Sequence, residues 1–446
     1  MDGVLYAAVA KNQANGFGDF WYPMFAETWN KHGVNTFYEH PPLGFGIQAF
    51  FYKIFGNGIG VERFYSFLTA IGTAWLIHLN WKVIVGKDSP LVSFSWLAIL
   101  FWIIIPVCFW SFQNNMLENT MGIFILASSY FCFKFYFEKD NYLYLILGSG
   151  FIFLATFCKG VPGLFPLAIP FLYWISHRKI TFVNIIHHTV LLILPVVAIY
   201  LLCMIYEPAR ESLTFYFENR LMGRIDSDPT VNSRFYILWR LVQELLPPFI
   251  LSTLIFLFVK IRNAETAPKN KNTNNVILLL LVGFSGTLPL MLTMVQKGFY
   301  MVHALPFFGL GLGLIIAPYF SVFYNKINTN SISYKIFNYF SIALLVGGII
   351  FSTFQMGKTK RDHEMLHDVY LLKNILPKKA FVSVDKSIAR DWNLKVYLMR
   401  NSEISVNNKL EEAYFLIEKK KENFQLDGYR KLEKGMAKYN LWEKIE

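Results

Sequence analysis

The chain has 446 residues, of which 54% are hydrophobic, 18% aromatic and only 16% charged. A soluble chain of this length carries about 25% charged residues and folds as two or three domains, so that class is excluded. The net charge of +12 does not point to nucleic acid, because Lys and Arg gather between apolar runs and in the C-terminal region, without the interleaved aromatics of a single-strand binder.

In chain order, "MDGVLYAAVAKNQANG" reads as a helix stopped at Gly16, with Asp2 at its start. "FYEHPPLGFG" follows. Pro41 and Pro42 have fixed φ and no N–H to donate, which suits a first helical turn and predicts a helix over Leu43–Phe55. Glu39 and His40 stand at its entrance, where free N–H groups and a partial positive charge favour an anion. The plainer reading is a capped interfacial helix whose polar entrance faces water.

Ten apolar segments then read as membrane spans: Phe64–Val85, Leu91–Trp110, Thr120–Phe137, Tyr142–Phe157, Gly163–Ile175, Val190–Ile205, Leu241–Val259, Val276–Val295, Phe299–Phe320 and Ile336–Phe354. A span needs about 20 residues, and the two flanking "CKGVPG" are short. Beyond Lys358 the composition is that of a soluble module. "AFVSVD", "EAYFLIEK" and "YNLWEKI" read as strands, and "KRDHEMLHDVYLLKNIL" and "SIARDWNLKVYLMR" as helices. The expected domains are therefore a first loop with interfacial helices over 1–63, a membrane core over 64–355 and a small α/β domain over 356–446.

The loops "KVIVGKDSP", "FEKDNY", "SHRKITFVNIIHH", "KIRNAETAPKNKNTNN" and "YNKINTNSISYK" are basic, so they face the cytoplasm. The opposite face receives residues 1–63, the loop 206–240 and the tail. The first of these has no signal peptide or span to carry it across, which predicts a further transmembrane helix upstream of Met1. No repeat or matching pair of broken helices is visible. Cys108, Cys132, Cys158 and Cys203 lie in or beside apolar runs, without metal-ligand spacing.

The candidate chemistry lies in the outer segments. Glu118, in "NNMLENTM", opens a span, where it either complements the helix dipole and caps, or serves as a general base. Lys159, in "TFCKGVPGL", occupies a Gly/Pro turn where lysine is uncommon. Arg220, Arg224 and Arg234 in the loop 206–240, with Lys297 in "VQKGFY", complete a cationic outer face suited to phosphate.

An early Asp with a Tyr four residues on, then "EHPPL", "FGIQAFFYKIFG" and "ER", "MLEN", "KGVPGL" and "QKGFYMVHALPFF", in this order, resemble the GT-C glycosyltransferases. The nearest branch is the protein O-mannosyltransferase-like and lipid A aminoarabinose transferase-like one, over Met1 to about Phe320. The resemblance implies an all-α polytopic core that moves a sugar from a polyprenyl-phosphate donor to a lipid, glycan or protein acceptor on the extracytoplasmic side of the plasma (inner) membrane. It implies Asp2 and Glu118 as the catalytic pair and Glu39 and His40 as a polar pair beside the lipid-carrier cavity, and its chemistry agrees with Lys159, Arg220, Arg224 and Lys297 as the cations that bind the donor phosphate. His40 stands where the family commonly has lysine. No cofactor is implied with certainty. Aminoarabinose transferases can hold a divalent metal; the loop 206–240 lacks the histidine that would complete such a site, although Glu39 and His40 could still form part of one. The rival readings are a lipid or solute transporter or flippase, which usually places ionisable groups at mid-bilayer, and a noncatalytic binder of lipid-linked sugar.

Overall fold

The computed structural model describes residues 1–31, 33–224, 228–262, 272–359, 361–385, 388–409, 412–419 and 425–445. It divides into two compact units, Met1–Ser321 and Val322–Glu446. The sequence reading drew its boundary later, at 355/356.

The first unit is helical: α1 (Asp2–Ala14), α2 (Leu43–Phe55), α3 (Val61–Val85), α4 (Ser95–Ile103), α5 (Pro106–Gln113), α6 (Leu117–Phe137), α7 (Leu143–Lys159), α8 (Ile169–His177), α9 (Phe182–Ile205), α10 (Glu207–Phe215), α11 (Tyr236–Arg262), α12 (Thr273–Thr287) and α13 (Leu305–Tyr324). Among the described residues of the whole chain, seven helices are long and apolar enough to cross a membrane, or eight if α4 and α5, bent by 79°, make one broken span. The expected ten counted two shorter apolar segments, Leu143–Lys159 and Val161–His177. The Gly160 turn divides these two, the second begins as the 3-10 segment Val161–Ala168, and neither has span length.

α6 and α7 form an antiparallel pair at the centre, with α3 against α6 and α9 against α7. Trp81, Phe101, Ile125, Phe133 and Phe307 are fully buried in this core. Asn80 ties α3 to α6 by donating to the Leu76 and Leu126 carbonyls. The α4–α5 bend follows from Pro106, which opens α5. The freed N–H of Val107 is taken by Glu244 of α11 at 2.7 Å, and Arg240 holds that carboxylate at 2.6 Å.

α1 and α2 are too short to span, at 13 residues each. α1 is buried along most of its length, including Lys11 and Asn12. α2 has the expected bounds, with Pro42 as its N-cap. It buries Phe45, Gln48, Ala49 and Tyr52 and exposes Phe50, Ile54 and Phe55, the pattern of a helix lying in an interface.

The second unit holds α14 (Ile332–Phe354), α15 (His363–Ile375), β1 (Phe381–Val384), α16 (Trp392–Ser402), β2 (Ser405–Asn407), β3 (Tyr414–Glu418), β4 (Tyr429–Leu432) and β5 (Tyr439–Lys444). The strand order is β2-β1-β3-β5-β4, with β1 parallel to β2 and β3, and β5 antiparallel to β3 and β4. Val369, Leu372, Val382, Leu398 and Leu416 fill its core. Asp368, fully buried, accepts backbone N–H groups from Ala437, Lys438 and Tyr439 at 2.5, 2.7 and 2.9 Å.

Candidate active site

The start of α6 and the end of α7 meet at the bundle end opposite the basic loops, because the short 138–142 connection makes the two helices antiparallel. There Lys159 Nζ lies 2.5 Å from Glu118 Oε1, with Glu118 1% and Lys159 7% exposed. Beyond this ion pair, neither Glu118 oxygen has a hydrogen-bond partner among the described residues, and α6 has no side-chain cap. Glu118 therefore caps nothing, although it stands in the first turn of α6, where a carboxylate complements the helix dipole. A buried ion pair gains its attraction only against a large desolvation cost, which further hydrogen bonds normally offset. Here they are missing, which leaves Glu118 Oε2 available.

The pair forms one wall of a pocket lined by Glu39, His40, Glu118, Met121, Lys159, Pro162, Tyr216, Arg220, Leu221, Leu290 and Tyr300. Glu39 bridges two cations, Lys31 at 2.6 Å and Arg220 at 3.0 Å. His40 Nε2 is 3.2 Å from the Tyr6 hydroxyl. Burial, with Glu118 and Asp2 nearby, raises the Tyr6 phenol well above its ordinary range, so it stays neutral and can donate. Gly160, at φ +83°, makes the turn after Lys159, and a Cβ there would lie 2.0 Å from the Tyr216 hydroxyl. That crowding fits Tyr216 over the end of α7.

Five of the expected residues thus share this pocket: Glu39, His40, Glu118, Lys159 and Arg220. Asp2 and Lys297 instead pair with each other at 3.6 Å, both partly exposed. Lys297 lines a second, more open groove with Thr230, Trp239 and Phe299. Arg234 donates to the Leu292 carbonyl at 3.1 Å and serves the loop backbone, and the side chain of Arg224 lies outside the described residues. The sequence reading treated the acids and cations as separate sets, whereas the structure pairs them.

No group of three or more His, Cys, Asp or Glu able to hold a metal is found among the described residues. Glu39 and His40 engage Lys31, Arg220 and Tyr6.

Sequence reasoning named no role for Tyr6, Tyr300, Tyr216 or Lys31. For Tyr6 the signal was its four-residue spacing from Asp2. Nothing in the linear pattern points Tyr216 at Gly160. Glu244, a buried acid inside a span at 2% exposure, also escaped notice. It is satisfied by Arg240 and Val107.

The fold is shared with a solved bacterial membrane protein. The chain aligns with the crystal structure of ArnT from Cupriavidus metallidurans bound to undecaprenyl phosphate with a TM-score of 0.64 at 12% identity, over 99% of this chain and 93% of that one. Apo ArnT from the same organism aligns with a TM-score of 0.52 at 13% identity, over 89% and 69%. Residues 39–202 match the family of dolichyl-phosphate-mannose-protein mannosyltransferases. No curated protein sequence matches. The fold is thus similar to that of ArnT, and the mannosyltransferase family model covers less than half of the chain.

Proposed function

We propose that the protein transfers a sugar from a polyprenyl-phosphate donor to a hydroxyl-bearing lipid, glycan or protein acceptor at the extracytoplasmic face of the plasma (inner) membrane. The observation that carries this reading is the buried Glu118–Lys159 pair, 2.5 Å apart, on a pocket wall shared with Arg220. The basic loops at the other end of the bundle support the sidedness, and the polyprenyl phosphate bound by the structurally similar ArnT supports the donor class.

The pocket wall carries two acids and two cations, already neutralised by each other. A donor phosphate competes for Lys159 and Arg220, and by drawing them away it frees Glu118 as a base. The acceptor oxygen then attacks the anomeric carbon and its proton passes to Glu118. The carbon–oxygen bond to phosphate breaks, and the polyprenyl phosphate leaves as an anion held by the same cations. Stabilising that charge is the main task, since phosphate needs no protonation to depart. One displacement inverts the anomeric centre. Asp2, beside Tyr6, is the second acid, and it orients Lys297 at the mouth of the open groove.

The test is sugar transfer by purified protein in liposomes with a sugar-loaded polyprenyl phosphate, accompanied by mass spectrometry of glycolipids and glycoproteins from cells with and without the gene. Transfer that disappears in Glu118→Gln, with donor binding retained, supports the reading. Undiminished transfer by that variant overturns it.

A further inference from the structure

We infer that Asn115 is a positioning residue that sets Asp2 against Glu118; the inference rests on the transferase reading above. Asn115 is buried at 5% exposure and stands in the left-handed region at φ 49°, in the turn between α5 and α6. Its Nδ2 donates to the Gly3 carbonyl of α1 at 3.1 Å and to Gln48 Oε1 of α2 at 2.9 Å. Its Oδ1 accepts from Ser66 of α3 at 3.2 Å. One side chain three residues before Glu118 therefore ties together the helix that carries Asp2, the helix that follows Glu39 and His40, and α3.

A second observation is independent of these bonds. A Cβ on Gly3 would lie 1.6 Å from the Asn114 carbonyl oxygen and 3.0 Å from that of Asn115. Only glycine lets α1 rest directly on the turn, and that contact is beside Asp2. The backbone approach fixes how close α1 comes, and the Asn115 amide fixes its register. Asparagine suits the place because it tolerates positive φ and carries both donor and acceptor. A displacement of about 1 Å at the chemistry costs on the order of 10²-fold in rate, so a loosened α1 is expected to register in turnover.

The test uses the full-length protein in detergent with Asn115→Gly, which keeps the backbone conformation and removes every side-chain bond, and Asn115→Asp, which accepts from Ser66 but sets a charge against the Gly3 carbonyl. Hydrogen exchange is expected to accelerate at the α1 amides in both variants, with α6 unchanged. kcat is expected to fall on the order of 10²-fold, with the donor KM unmoved. Unchanged α1 exchange overturns the inference, as does acceleration spread through α6, which marks a general loss of structure. Glu118→Gln separates the two claims, because it removes turnover and leaves α1 exchange at the wild-type rate. If the wild type transfers no sugar, the transferase reading fails, and the exchange pattern alone decides whether Asn115 holds α1 on the turn.

Discussion

Glu118 and Glu244 are both carboxylates nearly removed from solvent, at 1% and 2% exposure, and each is paired to one cation. Their remaining capacity differs. Glu244 also receives the Val107 N–H at 2.7 Å and is absent from both described pockets. Among the described residues, Glu118 receives no hydrogen bond beyond its ion pair, and it faces a pocket. A buried acid whose acceptors are occupied braces a break in the chain, whereas one left short is available to a ligand. Asp368, with three backbone donors, stands on the Glu244 side of this division.

The largest expected effect comes from removing the partner of the under-satisfied acid. Lys159→Met leaves Glu118 buried and unpaired, a loss of about 3–5 kcal/mol, measured by thermal or denaturant unfolding. Adding Glu118→Gln to it is expected to recover much of that stability, and a double variant no more stable than Lys159→Met would show that the pair is not coupled. Next is Glu118→Gln alone, with turnover falling about a hundredfold or more, the scale of a general base, in a liposome transfer assay. Glu244→Gln sharpens the contrast in the opposite sense. It is expected to cost about 1–3 kcal/mol in unfolding while the folded protein keeps its turnover. A large turnover loss there would erase the distinction between the two acids. The smallest effect belongs to Lys297→Ala, which breaks a half-exposed pair with Asp2 worth about 0–1 kcal/mol. It is expected to alter acceptor KM before stability.

What was legible in the sequence was what is local. Leu43–Phe55 could be bounded to the residue because the two prolines and the Gly56 stop act within one turn. β1, β3 and β5 were visible as apolar alternations. β2 has three residues, and β4 carries exposed Arg430 and Lys431 on an outer strand, so neither has a hydrophobic signature. Within the site, the residue types were readable but their partners were not. Lys31 and Arg220 converge on Glu39 from positions far apart in the chain, and nothing in the spacing of Asn115 foretells a bond to Gly3. Such pairings are products of packing. They remain invisible to any pattern read along one dimension.

α7 has 17 residues, which at 1.5 Å each gives a rod of about 25 Å, against a hydrocarbon layer of about 30 Å. Its first residues sit by the basic connection 138–142, so its last, Lys159, stops short of the far surface. On that geometry the ion pair with Glu118 is expected about 5 Å inside the hydrocarbon edge, just beneath the lipid headgroups and not out in bulk water. On the proposed function, a carrier phosphate anchored in the headgroup layer reaches it by sliding within the leaflet, so encounter is a two-dimensional search. Reaction velocity in mixed micelles is accordingly expected to follow the mole fraction of donor in the lipid phase, and to fall when inert detergent dilutes that phase at constant bulk donor concentration.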